Sequence, residues 1–433
     1  MAIDKQPLEL SADFKHALDL IEKKGANLFV TGRAGTGKST LLQLFRRSTR
    51  KKVAVVAPTG IAALNVGGQT IHSFFGFPPK PLGRQDIKKR RNRRLYKNLD
   101  ILVIDEISMV RADLLDNIDW FLRINRDNHA PFGGVQVVFF GDLFQLPPVV
   151  ASGAEAMRFQ LEYTSPYFFS AHLFEETGFA LELMELRKVY RQENRNFLRL
   201  LESVRLNRLD WDDLEDLNAR YLPHFEPEDY YITLSARNAT VNRINQHELD
   251  QIPLEERTYV ANITGNFNPK LYPTDAAMRL KLSAQVMFIK NDPDKRFVNG
   301  TIGKIVKLET ESVTVQIQDE QGQEVPIKVT PMEWEIVKYK PGEKDPAAIE
   351  TETLGTFSQL PLKLAWAITI HKSQGKTFDK VIIDLGKGAF EHGQTYVALS
   401  RCRSLGGIVL KKRLRPQDVL TDERVVQFYE TYF

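Results

Sequence analysis

The sequence predicts an α/β protein with two tandem parallel sheets and a small antiparallel domain inserted in the second. Short apolar, β-rich runs fall into two groups, helical segments separate them, and an alternating pattern lies between the groups. The first group comprises residues 27–31, 52–57, 101–104 and 135–140. The second group comprises residues 230–234, 381–385 and 408–410. Because the intervening stretches are long enough for crossover helices, we expect parallel pairing within each group.

The remaining elements follow from simple residue patterns. Residues 13–24 carry apolar side chains at helical spacing, which predicts a helix ahead of the first strand. Val313, Val315 and Ile317 alternate with polar residues. Asn299-Gly300 suits a hairpin turn in the same region. We therefore expect a small antiparallel barrel here, followed by a polar linker that contains Pro and Gly.

Composition excludes several classes of protein. The chain has 433 residues, of which 42% are hydrophobic and 26% charged, as in ordinary multidomain globular proteins. No apolar run is long enough to cross a membrane, and the start does not resemble a signal peptide. The single cysteine, Cys402, excludes an internal disulfide. The net charge of +4 is too small to indicate nucleic acid by itself. We expect a soluble, intracellular protein.

A complete P-loop follows the first strand directly. Its sequence is Gly32-Arg33-Ala34-Gly35-Thr36-Gly37-Lys38-Ser39, and Thr40 leads into an apolar helix. Glycines let backbone N–H groups turn onto phosphate oxygens, and the helix N-terminus adds its dipole. Lys38 would face the β- and γ-phosphates, and Ser39 would give Mg²⁺ a hydroxyl ligand. We therefore expect ATP and Mg²⁺ to bind at these residues.

Polar side chains follow the next two buried strands. Asp105 emerges at the sheet edge where the P-loop also emerges, so it can bind the metal together with Ser39. Glu106 can orient and deprotonate a water molecule, which indicates hydrolysis. Gln145 lies in the stretch 141–149, where its amide can sense the γ-phosphate. Alternatively, Gln145 only caps a rigid proline turn.

A basic run and an aromatic segment suggest a nucleic-acid surface. Between residues 84 and 97, eight basic residues accompany one acid, Asp86. Upstream, His72, Phe74 and Phe77 are interleaved with turn residues. Single-stranded DNA needs positive charge for its phosphates and aromatic faces for its bases. The alternatives are a solvated helix face for the basic run and core positions for the two phenylalanines.

Together these motifs resemble superfamily-one DNA helicases, specifically the petite-integration-frequency (PIF) family of 5'-to-3' helicases, with RecD-type enzymes as cousins. The matching stretches are 32–40, 57–64, 70–74, 105–109, 141–149, 189–192, 371–378 and 396–401. They follow the family's order from residue 10 to about residue 405. The resemblance implies two RecA-like motor domains with ATP between them and single-stranded DNA across the top.

The family layout also implies domain boundaries and residue roles. The first motor domain would comprise 1–64 and 99–183 with a wedge at 65–98, and the second 184–258 and 356–433 with an SH3-like barrel at 259–355. Arg191 and Arg401 match the family arginines that reach the γ-phosphate from the second domain. By residue type alone, Arg191 is more often a helix-surface charge, and Arg401 a solvated basic turn.

Further nucleotide and DNA contacts follow from the same resemblance. Gly375, in the matched stretch 371–378, is expected to contact the nucleotide, and residues 371–374 match a family stretch that touches DNA or couples it to ATP. The expected DNA contacts are Pro58, Thr59, Gly60, His72, Phe74, Phe77, Arg237, Asn238, His371, Lys372 and Ser373. One departure is Phe14, which stands where many relatives have a glutamine that reads the adenine. Phe14 either stacks on the base or is the first core residue of its helix.

The resemblance implies an ATP-driven 5'-to-3' helicase that works as a monomer on single-stranded and forked duplex DNA. Guanine-quadruplex DNA and RNA–DNA hybrids are further candidate substrates, and DNA repair, recombination and telomere maintenance are candidate roles. Two alternatives stay open: a RecD-like subunit of a nuclease complex, and a nucleotide-gated single-strand binding module. No paired-carboxylate nuclease site is evident in the sequence. Glu106, Arg191 and Arg401 argue against the binding module.

Overall fold

The first domain is built on a parallel sheet. The computed structural model describes residues 11–433 apart from 79, 151, 152, 177, 193 and 320. Within these residues the strands of the domain are β1 Leu28–Gly32, β2 Val53–Ala57, β3 Gln69–Thr70, β4 Ile101–Ile104, β5 Gln136–Phe140 and β6 Glu182–Leu186. They pair in the order β3-β2-β4-β5-β1-β6. The helices are α1 Ala12–Glu22, α2 Lys38–Ser48, α3 Gly60–Val66, α4 Ile71–Phe75, α5 Arg94–Asn98, α6 Ala112–Arg126 and α7 Ala154–Glu162.

This sheet separates two hydrophobic cores, because successive side chains of a strand point to opposite faces. In β1, Phe29 packs in one core while Leu28 and Val30 pack in the other. β4 and β5 alternate in the same way. Burial of both faces is the arrangement of a parallel sheet covered by helices on each side. The predicted α/β class is confirmed.

The second domain and its insertion complete the chain. The domain begins with α8 Arg195–Arg205, α9 Trp211–Asn218, β7 Ile232–Ser235 and α10 Asn238–Gln251. The inserted strands are β8 Glu256–Val260, β9 Asn262–Gly265, β10 Ala277–Lys281, β11 Gln285–Phe288, β12 Ile302–Leu308, β13 Val313–Gln318, β14 Glu324–Val329, β15 Met332–Pro341 and β16 Ile349–Gln359. The chain ends with β17 Leu362–Leu364, β18 Ala367–Thr369, β19 Val381–Asp384, α11 Gln394–Leu399, β20 Ile408–Leu410 and α12 Glu423–Tyr432.

The second domain also contains a parallel sheet, as the sequence predicts. Its strands pair in the order β18-β7-β19-β20. β7 lies between β18 and β19 with parallel register on both sides. The insertion separates β7 from the other three strands in the chain, yet the sheet assembles around β7. Two tandem parallel sheets are thus present.

The insertion is antiparallel but differs in detail from the predicted barrel. Its strands form three sheets, β14-β13-β12-β11-β17, β10-β8 and β15-β16-β9. Among the described strands, no pairing closes the five-stranded sheet into a barrel. β17 pairs with β11, so this unit spans 256–364 rather than 259–355. Likewise, β6 continues past the expected boundary at 183, because it pairs with β1 along its whole length.

Contacts between the domains are extensive. The β15–β16 hairpin of the insertion reaches the first domain, where the Tyr339 hydroxyl accepts a hydrogen bond from the Val55 N–H at 3.0 Å. At the chain end, Phe428 of α12 stacks on Phe169 with ring centroids 4.4 Å apart. The insertion and α12 therefore both bind the second domain to the first. No helix in the described part of the chain is long and apolar enough to span a lipid bilayer.

Candidate nucleotide and nucleic-acid site

The predicted phosphate loop lies at the carboxyl end of β1, and α2 begins at Lys38. Gly35 and Gly37 have φ values of +86° and +87°, a left-handed conformation that favours glycine. The Lys38 ammonium donates hydrogen bonds to the carbonyl oxygens of Gly32 at 2.6 Å and Arg33 at 3.1 Å. Burial lowers the pKa of Lys38. A half-buried, partly desolvated cation at a helix N-terminus fits a phosphate group.

The other loop residues form a buried group and an exposed group. Ala34 and Thr36 are buried, and the Thr36 hydroxyl donates to the Arg33 carbonyl at 3.0 Å. Ser39 and Thr40 are exposed at the start of α2. The Ser39 hydroxyl is therefore accessible to a metal ion bound beside the phosphates.

Asp105 and Glu106 follow β4 at the same edge of the sheet. Burial, helped by the charge of Glu106, raises the pKa of Asp105 to about 7. Burial also raises the pKa of Glu106. Glu106 has φ +51° and ψ +45°, a left-handed conformation that is strained for a residue with a side chain. Such strain clusters at functional sites.

These carboxylates fit a magnesium–nucleotide complex. Asp105 forms no ion pair with any described residue, and a desolvated carboxylate without a cation is costly. Among the described residues, no group of three or more His, Cys, Asp and Glu side chains could hold a metal alone. Asp105 and Ser39 would therefore share Mg²⁺ with the nucleotide phosphates. Bound there, Mg²⁺ would neutralise phosphate charge.

Gln145 lies in the loop after β5 and is only 8% exposed. Its side-chain amide donates to the Asp142 carboxylate at 3.0 Å. Its side-chain oxygen accepts a hydrogen bond from the Gln374 amide at 3.3 Å. Gln374 belongs to the second domain. Gln145 therefore connects the first domain to the second across the cleft between them, which lies beside the phosphate loop.

Arg191 and Arg401 reach the same cleft. The Arg191 guanidinium donates to the Ser400 carbonyl at 3.1 Å, and its Cβ lies where a side chain on Gly35 would collide with it. Arg401 is 1% exposed and donates to the Val397 carbonyl and the Ser400 hydroxyl, both at 2.9 Å. Burial lowers the pKa of both arginines. Arg401 is thus not a solvated turn, and neither arginine forms an ion pair with a described carboxylate.

Ser373 corrects one predicted DNA contact. The residue is fully buried, and its hydroxyl donates to the Ile370 carbonyl at 2.6 Å. Its own carbonyl accepts a hydrogen bond from Arg401 at 3.4 Å. The short turn that contains Ser373 directs this residue inward while His371 and Lys372 stay exposed. Ser373 therefore supports Arg401 rather than contacting DNA.

Phe14 is a core residue of α1. Its side chain is 4% exposed and packs with the core of the first sheet. The ring also lies beneath the phosphate loop, since a Cβ on Gly37 would be 2.9 Å from Phe14 Cζ. The base-stacking alternative is therefore wrong for this conformation. Tyr190, which the sequence did not suggest, lies beside the same glycine and is 52% exposed.

Gly375 and Ser39 line one large space. A cavity of about 1860 Å³ lies between the two motor sheets and the insertion, and both residues border it. Gly375 is exposed, with φ +75°. Trp334 and Asn299 of the insertion line the same cavity. Ser39 and Gly375 thus face a space that the insertion partly covers.

The first-domain DNA candidates divide into surface and core positions. Thr59 caps α3 by accepting from the Ala62 N–H at 3.2 Å, and it stays exposed between half-buried Pro58 and Gly60. Leu271 of the insertion lies against Gly60. His72 is half-buried, and burial lowers its pKa.

Phe74 and Phe77 are core residues, which corrects the predicted base-stacking role. They are 3% and 7% exposed. The Phe74 ring meets Tyr339 of the insertion at 5.7 Å, and the Phe77 ring meets Phe121 of α6 at 5.7 Å. Their rings fill the interface between the predicted wedge, the first sheet and the hairpin, so no face is open to a base.

The second-domain DNA candidates lie at the surface. Arg237 and Asn238 are exposed at the start of α10, directly after β7. Exposed His371 has its Nε2 atom 3.0 Å from a Glu391 carboxylate oxygen. Lys372 is exposed beside it. These residues follow the neighbouring strands β7 and β18, so they share one edge of the sheet.

The basic run contains both paired and free cations. Lys89, Arg93 and Lys97 all form ion pairs with Asp127. The Arg90 guanidinium donates to the Phe75 carbonyl at 2.6 Å. The exposed cations whose side-chain nitrogens form no hydrogen bond or ion pair with any described residue are Arg84, Lys88, Arg91 and Arg94, and the Arg84 guanidinium lies 4.7 Å from the centre of the Trp120 ring.

Comparison with known proteins agrees with this geometry. A family profile described as PIF1-like helicase matches residues 9–213. A protein called ATP-dependent DNA helicase Pif1 from Bdellovibrio bacteriovorus is 33% identical over 439 residues, which is 98% of this chain and 92% of that protein. The chain belongs to the PIF1-like helicase family. The human ATP-dependent DNA helicase PIF1 is 36% identical over 423 residues, covering 94% of this chain but 62% of its own length.

Solved structures of PIF1-like helicases have the same fold. The chain matches Bacteroides sp Pif1 in complex with ADP-AlF4 with a TM-score of 0.90, at 38% identity over 98% of this chain and 97% of that one. Bacteroides Pif1 bound to ssDNA has the same identity and the same two coverages, yet its TM-score is 0.68. Because sequence identity is equal, the lower score indicates that the chain's conformation differs more from that of the ssDNA-bound protein.

Sequence reasoning missed several buried polar residues of this PIF1-like site. Asp142 receives the Gln145 amide, and Arg205 lies fully buried between the aromatic rings of Phe144 and Tyr429. The Tyr396 hydroxyl accepts a hydrogen bond from a phosphate-loop N–H. Asp142 and Tyr396 lie inside matched motifs, so the motifs carried a signal for them. Arg205 lies on an ordinary amphipathic helix, which gives no such signal.

Proposed function

We propose that this chain is an ATP-dependent DNA helicase that moves 5'-to-3' on single-stranded DNA and separates the duplex ahead. The observation that carries the proposal is the convergence of two sets of residues on one cleft. Lys38 and the Asp105-Glu106 pair come from the first motor domain. Half-buried Arg191 and fully buried Arg401 approach from the second, and neither forms an ion pair with a described carboxylate.

This division of residues makes closure of the cleft part of the reaction. Mg²⁺ and Lys38 would bind the phosphates, and Glu106 would orient the attacking water. The arginines would stabilise charge on the γ-phosphoryl group as it leaves, which contributes roughly 10³ to 10⁵ in rate where an arginine finger acts. Gln145 would report the presence of the γ-phosphate to Gln374, since the two amides are hydrogen-bonded.

We infer that DNA lies across Thr59 on one motor domain and Arg237, His371 and Lys372 on the other. Exposure of all four residues supports this path. Leu271 of the insertion lies against Gly60, beside Thr59, so the insertion must withdraw to admit the strand. The lower TM-score against the ssDNA-bound Bacteroides protein supports such a rearrangement.

The direct test is ATP hydrolysis by the purified chain with and without single-stranded DNA. The proposal predicts turnover that DNA stimulates strongly. Turnover that DNA does not change would favour a nucleotide-gated binding module. Turnover only in the presence of nuclease subunits would favour a RecD-like role.

The proposal extends to substrate and location. Forked duplex is the expected unwinding substrate, and guanine-quadruplex DNA and RNA–DNA hybrids are candidates that the same phosphate contacts would accept. We propose that the chain acts as a monomer in the nucleoid or nucleus, where it would serve DNA repair, recombination or telomere maintenance. Unwinding rates that stay proportional to protein concentration would support the monomer.

A further inference from the structure

Tyr396 joins the two motor domains at the phosphate loop. Its hydroxyl accepts a hydrogen bond from the Ala34 N–H at 3.1 Å, and the side chain is 3% exposed. Burial, together with the charge of Asp142, raises the pKa of the hydroxyl, which is therefore neutral. None of the nucleotide or DNA contacts described above uses this side chain.

Tyr396 and Arg401 are held on one short, buried segment. α11 carries Tyr396, and the chain turns directly into Arg401. Because the Arg401 guanidinium donates to the Val397 carbonyl at 2.9 Å, it moves with the helix. The helix begins tightly against the first domain, since a Cβ on Gly393 would lie 2.5 Å from the Gln145 carbonyl oxygen. A displacement of α11 would shift Tyr396 and Arg401 together.

Other residues of the second domain also contact the phosphate loop, next to Ala34. The next residue, Gly35, accepts a hydrogen bond at its carbonyl from the Tyr190 N–H at 2.9 Å. Arg191 lies against the same glycine. Two segments of the second domain, one before α8 and one on α11, therefore contact adjacent residues of the loop. The Tyr190 hydrogen bond joins two backbone groups, whereas the Tyr396 hydrogen bond uses a side-chain oxygen, which a substitution can remove.

We propose that Tyr396 is a positioning residue for ATP hydrolysis, which by holding Ala34 sets where the Arg401 guanidinium lies relative to the γ-phosphate. The inference rests on the proposed ATPase activity. The hydrogen bond joins the part of the first domain that binds phosphate to the helix that bears the arginine. Losing it would leave nucleotide binding to the first domain intact and would misplace the arginine.

The test is Tyr396→Phe in the full chain, which removes one oxygen and keeps the ring. We expect kcat of the DNA-stimulated ATPase to fall about tenfold, the scale of one buried hydrogen bond. KM for ATP and the Kd for ADP should change by less than about twofold. Affinity for ADP–aluminium fluoride with Mg²⁺ should fall in parallel with kcat, because this complex mimics the transition state.

Tyr339→Phe is a matched control. Tyr339 is also buried, and its hydroxyl also accepts a hydrogen bond from a backbone N–H of the first domain, that of Val55 at 3.0 Å. This bond lies between the insertion and the first domain rather than in the ATP cleft. The Tyr339→Phe protein should keep the wild-type ratio of ADP–aluminium fluoride affinity to ADP affinity. Thermal melting of both variants checks that each is folded.

A double-mutant cycle shows whether Tyr396 acts through Arg401. In an Arg401→Ala background, Tyr396→Phe should cause no further loss of ADP–aluminium fluoride affinity. Additive losses would overturn the inference, and so would normal kcat in the single variant or an equal loss of ADP affinity. A wild-type chain that hydrolyses no ATP would overturn the proposed function itself. Normal turnover by both the wild type and Tyr396→Phe would overturn only the positioning role.

Discussion

The side-chain amide of Gln374 in the second motor domain donates a hydrogen bond to the Gln145 oxygen in the first domain at 3.3 Å. Gln145 is buried and is also fixed by the Asp142 carboxylate, so its orientation is set from both domains. Gln374 directly follows the turn that exposes His371 and Lys372. One hydrogen bond therefore separates the proposed γ-phosphate sensor from the proposed DNA contacts.

Gln374→Leu should uncouple DNA binding from ATP turnover. We expect nucleotide affinity and basal hydrolysis to stay near wild type, and stimulation by single-stranded DNA to fall roughly tenfold, because a buried acceptor on Gln145 is left unpaired. Steady-state ATPase assays with increasing DNA measure this. Gln246→Leu is the control, since Gln246 is exposed on α10 and its side-chain amide donates to Asp250 on the same helix. Full stimulation of Gln374→Leu by DNA would show that other residues couple DNA binding to ATP turnover.

Lys38→Ala and Glu106→Gln should separate nucleotide binding from hydrolysis. Lys38→Ala removes the cation of the phosphate loop, so ATP affinity and turnover should both be lost. Glu106→Gln keeps the shape of the side chain but removes the base, and it should bind ATP normally while turnover falls by roughly 10² or more. Fluorescent-nucleotide binding and single-turnover hydrolysis distinguish the two. Normal hydrolysis by Glu106→Gln would require a different base.

Asp105 should make nucleotide binding depend on pH. Its pKa is about 7 in the ligand-free fold against a usual value of 3.8, so the folded protein holds a proton that the unfolded chain has lost. This contribution to stability is present at low pH and is lost as the pH rises from about 4 through about 7. Binding of Mg²⁺–ADP near pH 7 should release that proton.

Calorimetry in buffers of different ionisation enthalpy measures the proton release. Asp105→Asn cannot ionise, so it should show none, and its unfolding midpoint in urea should depend less on pH between about 4 and about 7. Equal proton release by the wild type and Asp105→Asn would assign the titration to another group.

The free cations of the basic run should bind duplex. Arg91→Gln/Arg94→Gln should leave single-strand affinity unchanged and weaken forked-duplex binding, with a salt slope smaller by about 0.9 for each duplex phosphate lost. Lys89→Gln/Arg93→Gln is the control with the same charge change. Those two cations are paired with Asp127, so their loss should weaken fork binding less. If Arg91→Gln/Arg94→Gln weakened single-strand binding as much as fork binding, the basic run would contact the single strand rather than the duplex.

The sequence predicted the elements whose information is local. The P-loop at 32–39, the carboxylates after β4 and the two parallel sheets all follow from residue type, spacing and apolar runs. Phe74 could not be placed in this way, because an aromatic residue beside turn residues suits either a base or a core. Its burial depends on Tyr339, which is 265 positions away in the chain and belongs to the insertion.

Buried polar groups show the same limit. Ser373 directly follows exposed Lys372 in the chain, yet it is fully buried, and its carbonyl accepts a hydrogen bond from Arg401, which is 28 positions away. Tyr396 stands inside a recognised motif, yet its partner Ala34 is 362 positions away. Pairing across a domain interface depends on how the two domains pack against each other. The spacing of residues within the segment of Ala34 or of Tyr396 therefore does not predict it.

ATP hydrolysis between Lys38 and Arg401 should drive unwinding in the 5'-to-3' direction. The most direct test is stopped-flow unwinding of duplexes with either a 5' or a 3' single-stranded tail, by the wild type and by Arg401→Ala. The wild type should unwind only the 5'-tailed duplex. Arg401→Ala should bind ATP and the tail but unwind neither, and Arg401→Lys should recover little because an ammonium lacks the planar guanidinium fork. Unwinding of both duplexes at similar rates, or full unwinding by Arg401→Ala, would contradict the account.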